Sequence, residues 1–121
     1  MNDTTATSSH TARPAVRDFA ARGLAATADA IRSGEITSEA YATALLRQAQ
    51  SLADLNSFIT IDEDAVLAAA KNADKARSAG AVAPVLGVPL GVKDSYLTAG
   101  LPTTLGLDRL AHFIPREDAD A

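Results

Sequence analysis

Only two segments of this 121-residue chain have the makings of β-strands, and a helix separates them. Residues 57–61 (Ser-Phe-Ile-Thr-Ile) are β-branched and aromatic, and 88–93 (Val-Pro-Leu-Gly-Val-Lys) form a second such run. An isolated strand pair is marginal in water, and strands separated by a helix normally belong to a larger sheet covered by helices. The expected fold class is therefore α/β: N-terminal helices, then the first strands of a mixed sheet, truncated relative to a full domain. Residues 1–14, rich in Thr, Ser and Ala without periodicity, read as a flexible tail, and 15–121 as the N-terminal part of one incomplete domain. The competing architecture is a small helical domain with a frayed C-terminus.

The helices carry clear start and stop signals. From Val16 the pattern turns helical; Leu24, Ala28 and Ile31 recur on one face, and Arg32 with Gly34 supply a basic last turn and a stop. Thr37 offers an N-cap for a second helix with Glu39 in its first turn, although Ala40 precludes a reciprocal capping box. Tyr41, Leu45, Ala49 and Leu52 line one face of it, and a short turn predicts an antiparallel pair. Asp62 caps a third helix whose first turn holds Glu63 and Asp64, and whose last holds Lys75 and Arg77 before Gly80. Residues 98–106 form a loop dense in Gly, Pro and Thr, and Pro115 with Glu117 and Asp118 resembles a further helix start.

Hydrophobic residues make up 47% of the chain, which argues for a globular fold, but aromatics are only 4% and alanine dominates the apolar content. The expected core is thus small, made of closely packed helices. A net charge of −4 and a pI near 5.0 leave no electrostatic footprint for nucleic acid or an anionic membrane. No run approaches the ~18 apolar residues that span a bilayer. The absence of cysteine excludes disulfides, thiol catalysis and cysteine-bound metal. A cytoplasmic protein without cofactor or metal is the expectation.

Lys93 is the residue with chemical promise. On an extended 88–93, Val88, Leu90 and Val92 share one face, and Pro89, Gly91 and Lys93 the other. Proline and glycine leave space beside the lysine, which stands at the C-terminal end of the run, where α/β sheets gather their functional groups. Thr98, Thr103 and Thr104 follow closely. A lysine there serves as a desolvated general base, a Schiff-base nucleophile or an anion clamp. The plain alternative is a solvated lysine paired with Asp94. Gly91-Val92-Lys93-Asp94 breaks the Gly-Lys-Ser/Thr order of a phosphate-cradling loop, and the other kinase motifs are missing. His10 and His112 lack ligand spacing, capping accounts for Glu63 and Asp64, and Tyr96 reads as a loop aromatic before it reads as a pocket wall.

The run 86–119, LGVPLGVKDSYLTAGLPTTLGLDRLAHFIPREDA, closely resembles the amidase signature family of serine hydrolases. Members carry a Gly-hydrophobic-Pro-hydrophobic-x-Val-Lys-Asp strand, a Gly-x-x-Thr-Thr-x-Gly loop and a Pro-x-x-Asp-Ala helix start. Upstream, SGEITSEAYATALL resembles the family's first helix-turn-helix, and LNSFITIDEDAVLAAAKNADKARSAG its first strand and helix. The resemblance covers about residues 20–121, with arylacetamide hydrolases of the indoleacetamide and mandelamide type looking nearest.

That resemblance implies a relay of lysine, bridging serine and nucleophilic serine that cleaves a carboxamide to an acid and ammonia. Lys93 matches the relay lysine, which would be held neutral by burial and accept a proton through the bridging serine. Both serines, and the backbone oxyanion hole, fall beyond the Pro-x-x-Asp-Ala helix, so the 121-residue chain alone is expected to be inactive. Ser95 stands in the wrong place for the relay. Leu107 replaces the Ser or Thr usual after Gly106, which removes a hydroxyl from the loop. The partners implied are a small-molecule amide, with a homodimer possible and neither nucleic acid nor membrane. The alternatives are an amidotransferase subunit of the same family, which passes ammonia on, and a non-enzymatic oligomerisation or interaction fragment.

Overall fold

The computed structural model describes residues 16–120, the side chains of 16–20 and 22 excepted. The expected tail at 1–14 and His10 lie outside the described residues. Three helices make the body: α1 (Val16–Ser33), α2 (Ser38–Ser51) and α3 (Glu63–Ser78), with single 310 turns at Ala53–Leu55 and Asp108–Leu110. All three helices match the sequence expectation. α1 is broken at Gly23, whose φ of 84° and ψ of 178° leave the helical region. Leu24, directly after the break, is exposed, and past the break the buried face starts at Thr27 and Ala28.

The ends of the helices are satisfied as their sequences require. Thr37 Oγ1 accepts the Ala40 N–H at 3.1 Å and Asp62 Oδ1 accepts that of Ala65 at 2.9 Å. α3 ends in a Schellman motif: the Ala81 N–H returns to the Ala76 carbonyl, and that of Gly80 (φ 91°) to Arg77. The sequence did not reveal a second cap on α2. Asp74, in the middle of α3, takes the Ser38 N–H at 2.8 Å and the Glu39 N–H at 3.0 Å, one on each carboxylate oxygen. The first N–H groups of α2 are thus satisfied from a neighbouring helix, where the positive end of the helix dipole favours a carboxylate.

α2 packs more extensively on α3 than on α1. Ala30, Ile31, Ile36 and Tyr41 form the buried cluster, with Leu45 and Val88 packed against it. Ala42 and Ala70 are also buried, so the core is as small and alanine-rich as the composition implied. The connector after α3 docks on the start of α2, where the buried Ser38 hydroxyl donates to the Gly87 carbonyl. Gly87 has a φ of 83°, and a Cβ there would stand 2.9 Å from Ser38 Cβ, so only glycine permits this approach.

The expected strands are not formed. Among the described residues no β-strand occurs, and neither 57–61 nor 88–93 pairs with a neighbouring chain segment. The two runs do approach one another: a ring carbon of Phe58 lies 4.0 Å from the position a Cβ would take at Gly91. A strand is defined by its ladder, and β-branched composition does not supply the partner backbone. The helix expected at Pro115 is also absent. There the Pro115 carbonyl and the Asp118 carboxylate are used as acceptors for an earlier loop.

Candidate functional site

Val88 is the last residue of the connector to reach the core, and from Leu90 the chain runs along the surface to Lys93. Lys93 is exposed. The burial expected of the relay lysine is therefore not present, because the face of the 88–93 run that should cover it has no sheet beside it. Among the described residues no carboxylate lies within ion-pair distance of its amine. The sequence alternative that paired Lys93 with Asp94 is not realised either.

Asp94 turns away to organise the loop. Its Oδ1 accepts the Thr104 N–H at 2.9 Å, its Oδ2 accepts the Thr104 hydroxyl, and its carbonyl accepts the Leu105 N–H at 3.1 Å. Thr104 Oγ1 in turn accepts the Gly106 N–H at 3.0 Å. Leu105 and Gly106 both have positive φ, 54° and 71°. That left-handed pair curls the backbone so that successive N–H groups face the aspartate and its threonine. The Thr104 hydroxyl, followed by the Thr104 N–H, holds the Asp94 carboxyl below the usual carboxylate range, against a smaller opposing effect of burial.

A second set of bonds braces the other side of the loop. Thr103 is buried; its N–H donates to the Phe113 carbonyl at 2.9 Å and its hydroxyl to Tyr96 at 3.4 Å. Asp118 Oδ1 accepts the Ala99 N–H at 2.7 Å, the Ala119 N–H donates to Leu97, and the Gly100 N–H to Pro115. The motif residues Lys93-Asp94, Thr103-Thr104 and Pro115/Asp118 are therefore one hydrogen-bonded unit. The sequence isolated these residues as motifs, but offered Asp94 only Lys93 as a partner and Asp118 none. An acid facing a Gly- and Thr-rich turn was the available signal, since such turns leave N–H groups without strand or helix partners.

Beside this unit lies an open depression of about 380 Å³, lined by Ile59, Thr60, Pro102, Thr104, Gly106, Leu107, Asp108 and Ala111. Leu107, in place of a hydroxyl residue, gives it an apolar wall. Neither Tyr96 nor Lys93 lines it. Ser95 and His112 are exposed. Among the described residues no group of three His, Cys, Asp or Glu side chains is placed to hold a metal ion, and no helix is long and apolar enough to cross a membrane. The set offers an amine, but the Thr104 hydroxyl is committed to Asp94 and no base is aimed at a nucleophile.

A protein-family profile described as Amidase matches residues 40–121. Among curated proteins, the A-subunit of glutamyl-tRNA(Gln) amidotransferase from Roseiflexus sp. (strain RS-1) is 39% identical over 94 residues, covering 77% of this chain and 19% of that protein. Its namesakes from Desulforapulum autotrophicum and Bordetella pertussis are 43% identical over 90 residues and 38% over 97. Those matches cover 74% and 80% of this chain, and 18% and 19% of the relatives. The chain thus spans about a fifth of the length of these relatives. They carry the name of the expected alternative, the amidotransferase, and not that of an arylacetamide hydrolase. With the profile covering more than half of its residues, the chain belongs to the amidase family.

Proposed function

We propose that this chain is the N-terminal portion of an enzyme that breaks the C–N bond of a carboxamide, with Lys93 as proton acceptor in a serine relay. Attack by the nucleophilic serine expels ammonia and leaves an acyl-enzyme, which water then converts to the acid. The observation that carries this reading is the Asp94–Thr104 contact, which ties the Val-Lys-Asp end to the Gly-x-x-Thr-Thr loop. In the complete enzyme 57–61 and 88–93 pair into a mixed sheet covered by helices, and Lys93 becomes buried. A small-molecule amide as substrate, a homodimer and a cytoplasmic location belong to the same proposal.

The names of the relatives favour an amidotransferase component, which passes ammonia to a second reaction, over a free-standing hydrolase. A chimera in which this chain replaces the stretch it matches in the Roseiflexus protein tests the relay, and ammonia release from glutamine in the presence of the other amidotransferase components supports it. The complete enzyme separates the two readings: release that needs those components supports amidotransfer, whereas release from indoleacetamide or mandelamide without them supports the hydrolase. Lys93→Ala is expected to abolish either activity, and turnover that survives this substitution overturns the relay assignment. The 121-residue chain alone is expected to release no ammonia.

A further inference from the structure

We propose that Asp94 is a positioning residue for Lys93, binding the 103–106 turn through its carboxylate and its carbonyl at once and so fixing the lysine's backbone. The Lys93 side chain is exposed and has no ion-pair partner among the described residues, so what the structure fixes is its main chain, the origin from which the amine reaches. That main chain is held twice on its C-terminal side. The Lys93 carbonyl accepts the Tyr96 N–H at 3.0 Å, which closes a turn over 93–96. The next residue receives Thr104 on both carboxylate oxygens and Leu105 on its carbonyl.

The two turns are also joined beyond Asp94. The Tyr96 carbonyl accepts the hydroxyls of Thr98 and Thr103, and the Thr98 N–H reaches Thr103 Oγ1, each at 3.4 Å. Thr103 and Thr104 are both buried. A rotation of the Lys93–Asp94 peptide would therefore have to break bonds in both turns together. An amine that must meet a serine hydroxyl within hydrogen-bond reach needs a backbone fixed in this way.

The catalytic consequence rests on the relay reading above, but the structural claim can be measured without it. In the 121-residue chain, amide hydrogen exchange at Tyr96 reports the turn that Lys93 closes, while Thr104 and Leu105 report the loop. Asp94→Ala and Thr104→Val are each expected to speed exchange at Tyr96 and Leu105 by roughly tenfold or more. Thr104→Ser, which keeps the hydroxyl, restores slow exchange, and unchanged far-UV circular dichroism shows that the helices persist. If Leu105 loosens while Tyr96 stays protected, the contact shapes only the loop and the proposal fails. If Asp94→Ala disrupts the helices, the valine and serine variants at Thr104 decide the matter. In the chimera, Asp94→Ala should lower kcat about tenfold with KM unchanged. Full activity there, with Lys93→Ala inactive, overturns the positioning role; activity in Lys93→Ala overturns the relay instead.

Discussion

At the scale of single residues, the motif positions are held by groups that look ordinary in the sequence. Gly87 is needed because the connector passes against Ser38, and Asp94 because a threonine turn presents its N–H and hydroxyl with nothing else to receive them. Asp94 also makes the loop sensitive to acid. Its folded-state carboxyl titrates below the usual carboxylate value, so the ionised form stabilises the loop above that value and the contribution is lost as the pH falls through the lowered one. The Thr104 amide resonance is therefore expected to stay constant from about pH 7 to 5 and to move only at more acid pH. Asp94→Asn should remove that acid transition at Thr104, and a transition that persists in the variant would assign it to another acid.

Among the helices, the α2–α3 contact carries the most testable energy. Asp74 caps α2 from the side near the Lys71–Glu39 ion pair at 3.4 Å, and the Gln50–Glu63 hydrogen bond at 2.7 Å ties the opposite end of the two helices. The exposed ion pair adds little, whereas a cap is worth about 1 kcal/mol and this one satisfies two N–H groups. Asp74→Ala is expected to cost about 1–2 kcal/mol, read as a lower urea midpoint with the slope unchanged. An equal loss in Lys71→Ala would place the stability in the ion pair. The helices themselves were legible because their signals are local: Thr37 and Asp62 as caps, Gly34 and Gly80 as stops. Asp74 was not, because its partners lie 36 and 35 residues away along the chain. The strands failed for a related reason, since 57–61 has the composition of a strand and the described residues give it no ladder. Lys93 was found from its motif, but its exposure depends on a covering that no local pattern encodes.

At the scale of the whole molecule, most of the large apolar side chains among the described residues sit outside the core. Leu90 is 85% exposed, Ile59 62%, Phe58 54% and Val92 53%, all within or beside the two strand-like runs, while the core is built from alanine, isoleucine and a tyrosine. Burying such side chains is worth about 1.5–3 kcal/mol each, so leaving several in water gives this face much to gain from a partner. The face is separate from the helical core, which predicts that it can be altered without unfolding the body. The chain should bind a hydrophobic dye such as ANS under native conditions. Phe58→Glu combined with Leu90→Glu should reduce that fluorescence several-fold while the far-UV circular dichroism of α1–α3 is kept, because exposed substitutions change stability by only about 0.5 kcal/mol. If the dye signal is unaffected, the apolar surface that binds it lies elsewhere. If the helices melt, Phe58 and Leu90 support the helical core directly, and the two strand-like runs are part of the same cooperative unit as α2 and α3.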